Sequence, residues 1–150
     1  MQLIWTTRYS VGIDEIDAQH QRIIKMIGLL REALPKSHPE QELREVILGI
    51  AEYARVHFAF EEHLLDIAGY PELEIQKAEH RKLVADLHDI LIKLKRGGNV
   101  TVRQLLGWLT NWWVRHIESE DLKYGRWILG QKNAGRLPDL TTVLRTHQSV

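Results

Sequence analysis

The sequence predicts an all-α protein: a four-helix bundle preceded by an extended arm and followed by a short tail. Three observations carry this. Apolar residues recur at steps of three and four through four long stretches, proline or glycine closes each stretch, and no run alternates as a half-buried strand would. The 150 residues suit one domain large enough to bury most of its apolar surface, with the arm at 1–13, the bundle at about 14–129 and the tail at 130–150.

Residues 1–13 contain Trp5, Tyr9, Ser10 and Gly12 without a clear period, so they are expected to lie extended against the bundle, anchored by Trp5. From Asp14 onward Ile16, His20, Ile23, Ile27, Leu30 and Leu34 mark one face of a first helix, which Pro35 ends. The connector PKSHP (35–39) leads into a second helix, where Ser37 with Glu40 has the form of a capping box and Pro39 is tolerated in the first turn. On it Leu43, Ile47, Ile50, Ala54, His57, Glu61 and Leu64 share a face. The helix should reach about Ala68, where Gly69, Tyr70 and Pro71 make a break too short for anything but an antiparallel neighbour. The third helix carries Leu73, Gln76, His80, Leu83, Leu87, Leu91 and Leu94 and stops at Gly97, Gly98 and Asn99. Thr101 with Gln104 caps the fourth, whose face is Val102, Leu105, Leu109, Trp112 and His116 and which continues past Asp121 toward Trp127. After Gly130 amphipathic order fades, although Leu137, Leu140, Val143 and Leu144 could form a short turn packed on the bundle.

Composition narrows the function. Twenty basic and twenty acidic residues balance without a long run of either sign, which argues against nucleic acid or a membrane surface as partner. The N-terminus lacks the pattern of a signal peptide, and nothing approaches the ~20 apolar residues of a membrane span, so the cytoplasm is the expected location. No protein partner is indicated. With no cysteine, disulfides, thiolate metal sites and a thiol nucleophile are excluded, and any metal must be held by nitrogen and oxygen.

Four of the eight histidines, His20, His57, His80 and His116, fall one to each predicted stripe, and Glu61 joins them; His38, His63, His88 and His147 lie in loops, off the stripes or in the tail. A lone histidine on an apolar face is ordinarily a packed, hydrogen-bonded core residue. Four of them beside a carboxylate need another account, because an isolated ionised carboxylate out of water costs on the order of several kcal/mol unless protonated, paired or bound to a cation. Bundle interiors recurrently hold metal sites built from inward side chains on facing helices. Imidazole and carboxylate without thiolate suit iron, zinc or manganese, and a nitrogen-rich set favours iron or zinc. HExxH is absent, as is Glu-x-x-His ahead of any of the four histidines, so neither a zincin-type peptidase nor the ferritin-like pattern applies. Trp108, Trp112 and Trp113 read as packing residues that could also wall a metal pocket.

In order and spacing these residues resemble the hemerythrins, specifically the single-domain bacterial ones. The resemblance covers about residues 5–128: Trp5 and YSVGIDEIDAQH (9–20), HFAFEEHLL (57–65), GYP (69–71), EH (79–80) and WLTNWWVRHIESED (108–121). It implies an antiparallel up-down-up-down bundle holding two non-heme iron ions joined by a glutamate, an aspartate and a bridging oxygen species. Carried over position by position, it puts His20 and His57 on the iron that binds dioxygen and His80 and His116 on the other, with Glu61 and Asp121 as bridges. Helix geometry alone supports Glu61 but not Asp121, which lies roughly 140° round an ideal helix from His116; Glu120 fits better. A π-bulge would deliver Asp121. The function so implied is reversible dioxygen binding for storage, delivery or sensing, by an oxygen-binding protein rather than an enzyme. The same ligands could serve a di-iron redox enzyme acting on peroxide or nitric oxide, and an iron-storing or metal-free interaction bundle is a third alternative.

One position departs from the family pattern. Four residues before His80, where hemerythrins usually carry another histidine, this chain has Gln76. Its neutral carbonyl is a poorer ligand than imidazole, which leaves weak oxygen ligation, a held water or an open position as alternatives. Each implies a more loosely held iron at His80 and His116.

Overall fold

The computed structural model describes residues 3–33, 40–97 and 101–146. Within them lie α1 (Asp14–Ala33), α2 (Glu40–Ala68), α3 (Leu73–Lys95) and α4 (Val102–His116), a π-helical segment (Ile117–Asp121), α5 (Leu122–Asn133) and α6 (Thr141–Thr146). Because α4, the π segment and α5 form one continuous rod, the architecture is an antiparallel up-down-up-down bundle of four long helices. In it α1 packs on α2 and the rod, and α2 on α3 and α6. Among the described residues there is no strand, and no helix is long and apolar enough to cross a membrane. Leu34, the connector 35–39 with Pro35, Ser37 and His38, the stop at Gly98 and Asn99, and His147 lie outside the described residues, as does the Leu43 side chain.

The helix ends follow from local chemistry. Gly69 takes φ 75°, its N–H donates to Asp66 C=O at 3.0 Å, and Tyr70 N–H donates to Leu65 C=O at 2.9 Å, the paired bonds of a Schellman cap. Thr101 and Gln104 form the expected reciprocal box, with Gln104 N–H on Thr101 Oγ1 at 3.1 Å and Thr101 N–H on Gln104 Oε1 at 2.9 Å. The last helix continues past Gly130, after which amphipathic order fades in the sequence, and runs to Asn133. Gly130 keeps a helical backbone, whereas Gly135 takes φ 69° and caps the helix together with Arg136 N–H on Gln131 C=O. The chain then returns, burying Leu140 and Val143 as α6 settles on α2.

The arm differs from expectation in two ways. It is broken by a 3₁₀ turn at Thr7–Tyr9, and Trp5, which packs half-buried on the core beside Tyr9, shares the anchoring with buried Leu3, Tyr9 and Val11. The turn changes which side chains face the bundle, and a stretch without a period does not announce it. Asp17, in the first turn of α1, accepts Val11 N–H at 2.8 Å and also the Ser10 hydroxyl. Val11 C=O is thereby held so close to α5 that a Cβ on Gly125 would sit 2.4 Å from its oxygen.

Two apolar clusters fill the interior. One includes Ile23, Ile27, Ile47, Ile50, Leu83 and Leu105, the other Ile16, Leu64, Leu65, Leu73, Tyr124 and Ile128. In every long helix a polar stretch separates them, made of His20, His57, Glu61, Gln76, His80, His116 and Asp121, none more than 4% exposed. Gly125→Ala should destabilise the protein by about 1–3 kcal/mol, since a backbone carbonyl cannot give way as a side chain does. Gly130→Ala, which meets nothing within 4 Å, should be neutral or stabilise by up to about 1 kcal/mol. Denaturant unfolding of both variants checks the contrast.

Candidate metal centre

The six residues expected to bind metal meet in the polar layer. His20 of α1 and His57 of α2 face each other Nε2 to Nε2 at 3.2 Å, and His80 of α3 and His116 of α4 do so at 3.1 Å. Glu61 lies between the pairs: Oε2 is 3.5 Å from His57 Nε2 and 3.9 Å from His20 Nε2, while Oε1 is 3.1 Å from His80 Nε2. Asp121 spans them as well, with Oδ2 3.3 Å from His20 Nε2 and Oδ1 3.2 Å from His116 Nε2. Each carboxylate therefore turns one oxygen to each histidine pair. In both His20, His57, Glu61 and Glu61, His80, His116 the ligand atoms lie within 4.8 Å of one another. His63 and His88 face solvent.

Asp121 reaches the layer because the rod is not α-helical throughout. In the π segment Leu122 N–H bonds back five residues to Ile117 C=O, and the Ser119 hydroxyl donates to Arg115 C=O at 2.8 Å. The wider turn absorbs one extra residue, so Asp121 is fully buried while Glu120, the better position on an ideal helix, is only half-buried. One ion pair ties the segment to the arm, Arg8 with Glu118, and another follows it, Lys123 with Glu72.

Three further residues, not singled out in the sequence, orient the candidate metal-binding side chains. Gln19 Oε1 accepts from His57 Nδ1 at 2.6 Å, and Glu62 Oε1 accepts from His80 Nδ1 at 2.8 Å. A ring that carries its proton on Nδ1 presents Nε2 as a metal donor, so these contacts set both tautomer and aim. Tyr124 O–H donates to Glu61 Oε2 at 2.8 Å. Gln19 directly precedes His20 and Glu62 directly follows Glu61, but each holds a histidine of the next helix, a relation that adjacency along one helix does not reveal. Gln76, the departure from the family pattern, is buried, and its Nε2 donates to Glu61 Oε1 at 3.0 Å and Asp121 Oδ1 at 2.6 Å.

Aromatic rings close the layer. Phe58 stacks on His80 with centroids 3.9 Å apart, Trp112 stacks on His116 at 4.4 Å, and Trp113 packs against His57 and His20 at 5.8 and 6.2 Å. Trp108 packs against the apolar cluster instead. The outer side of His80, with Phe58 and Glu62, lines an open groove of about 520 Å³ between α2 and α3.

Burial opposes the charge of Glu61, but His57, His80 and His20 outweigh it and hold the carboxyl well below its ordinary range. Burial drives His57 well below its usual value despite Glu61, whereas on His116 the pull of Asp121 overcomes burial and raises it. Burial, then Glu61 and Asp121, push the Tyr124 phenol far up, so it remains a neutral donor. Hydrogens do not satisfy the layer: Asp121 Oδ2, His20 Nδ1 and His116 Nδ1 are buried with no hydrogen-bond partner. A buried polar atom left so costs about 1–3 kcal/mol. A cation between the ring nitrogens and the carboxylates would answer the Asp121 deficit, and the all-nitrogen-and-oxygen donor set suits iron, zinc or manganese.

Comparison with known proteins agrees with this geometry. Residues 11–128 match the family described as Hemerythrin HHE cation binding domain. The chain is 32% identical over 131 residues to a bacteriohemerythrin of Stenotrophomonas maltophilia (strain R551-3), covering 87% of this chain and 84% of that protein. It is 34% identical over 122 residues to a bacteriohemerythrin of Pseudomonas paraeruginosa (strain DSM 24068 / PA7), covering 81% and 78%. A crystal structure of wild-type hemerythrin superposes with a TM-score of 0.76 at 26% identity, over 84% of this chain and 97% of that one. With its fold, its buried histidine and carboxylate clusters and a family match over most of its length, the chain belongs to the hemerythrin family.

Proposed function

We propose that this chain acts as a single domain that holds two iron ions and binds dioxygen reversibly, for storage, delivery or sensing. The observation that carries the reading is that Glu61 and Asp121 each turn one oxygen toward each of two histidine pairs. Two adjacent positions result, one served by His20 and His57 and the other by His80 and His116, with both carboxylates shared. The relatives named bacteriohemerythrin support iron as the metal.

Iron bound there would supply reversible electron transfer to dioxygen, chemistry that no side chain of this protein offers. The chain's own residues do the rest. Gln19 and Glu62 keep Nε2 of His57 and His80 turned inward. Phe58, Trp112 and Trp113 shut water away from the rings, which strengthens electrostatic interactions inside the layer. Tyr124 keeps its proton and holds it on Glu61 Oε2.

Anaerobic loading with ferrous iron should take up about two ions per chain, and air should then raise a visible charge-transfer band that fades on deoxygenation and returns. Irreversible bleaching with consumption of peroxide or nitric oxide would instead assign redox catalysis, and failure to take up iron would reject the reading. Glu61→Ala and Asp121→Ala should each weaken metal binding by about tenfold or more, whereas His63→Ala and Glu120→Ala should leave it unchanged; metal analysis after dialysis reads the difference. The loaded protein should also unfold later than the metal-free one, by about 2.7 kcal/mol for each site at a free metal concentration about one hundred times Kd. Coincident melting curves would contradict this.

A further inference from the structure

The two halves of the layer have equal donors but unequal hydrogen bonding. On the side of His20 and His57, Asp121 Oδ2 has no hydrogen-bond donor. Glu61 Oε2 there accepts the Tyr124 hydroxyl. On the side of His80 and His116 both carboxylate oxygens are engaged by one amide: Gln76 Nε2 is 3.0 Å from Glu61 Oε1, 2.6 Å from Asp121 Oδ1 and 3.5 Å from His116 Nε2. An amide nitrogen has two hydrogens, and here each has a carboxylate acceptor. At 1% exposure Gln76 cannot turn out to solvent without opening the bundle. It acts as a neutral placeholder between two anionic oxygens.

We infer that Gln76 makes the two metal positions unequal, so that the position at His20 and His57 loads first and tightly while that at His80 and His116 loads second and more weakly. The inference rests on the two-metal reading given above. At the first position a cation engages an Asp121 oxygen that accepts no hydrogen bond, so none to that oxygen is lost. At the second it must displace the amide hydrogens from Glu61 and Asp121, and bonds to charged acceptors are stronger than ordinary ones. Turning the terminal amide is itself easy, because that torsion is broad. What it then presents is a neutral carbonyl oxygen, a weaker ligand than the imidazoles and carboxylates around it.

Calorimetric titration of the metal-free full chain with zinc reads the loading without any oxygen chemistry, zinc being redox-inert. Two events are expected, the second weaker by about tenfold or more. Gln76→His puts an imidazole in place of the amide, and Gln76→Glu puts a carboxylate of nearly the same shape. Each should strengthen the second event by about tenfold or more and move the first by less than about threefold, with thermal melting used to verify that the metal-free variants fold. Two events of equal affinity in the wild type, or a second event unmoved in a folded variant, overturn the inference and leave the two-metal reading standing. Failure of a second zinc to bind in the wild type and in both variants overturns the two-metal reading itself.

Discussion

Glu61 and Asp121 are both fully buried, in a bundle whose interior on either side of them is aliphatic and aromatic. An ionised carboxylate removed from water in this way costs on the order of several kcal/mol even after its surroundings relax, so the helices must bring partners to both. Each long helix does: His20 from α1, His57 from α2, Gln76 and His80 from α3, His116 and Tyr124 from the rod. The same requirement determines how the helices align. A helix that slid by one turn would carry its polar group into an apolar cluster and strand it there, at a further cost of about 1–3 kcal/mol for each unpartnered group. Seven buried polar residues therefore specify the alignment of four helices more sharply than aliphatic packing does, because Ile and Leu exchange neighbours at little cost.

Support for the buried histidines passes from helix to helix. Gln19 on α1 orients His57 on α2, and Glu62 on α2 orients His80 on α3, so the residue beside one layer residue governs the histidine of the neighbouring helix. Phe58 continues the pattern in apolar form, stacked on His80 on one side and on Trp113 on the other. The polar layer and the core are consequently one packing problem. Polar contacts fix the direction of the His57 and His80 rings, and stacked aromatic faces fix the planes of His80 and His116.

What the sequence reveals and what it hides divide along physical lines. The faces of α1 to α4 are legible because a period of 3.6 places Ile16, His20, Ile23 and Ile27, and likewise Ile47, Ile50, Ala54, His57 and Glu61, on single stripes. That period misdirects at the π segment, where it points to Glu120 and only the family resemblance points to Asp121. Gly69 is legible as a cap because Pro71 follows closely, but Gly130 and Gly135 look alike, and which of them turns left-handed depends on where the tail must return. Gln19 and Glu62 leave no trace in any period, since a bond that crosses between helices depends on the distance between them. Tyr9 and Val11 are hidden for a related reason: a short 3₁₀ turn has no repeat long enough to read.

The π segment has an effect well beyond the residue it buries. Absorbing one residue sets every later side chain back by about 100° relative to an uninterrupted α-helix. The inward aim of Tyr124 and Ile128, and the bare flank that Gly125 offers to Val11, all depend on that rotation. The segment thus sets the angular phase of α5, and through it the hydroxyl on Glu61, the second apolar cluster and the seat of the arm. The number of residues between His116 and Asp121 is accordingly a structural quantity in its own right. Adding or removing one there rotates a whole helical face, where the same change in a connecting loop only alters its length.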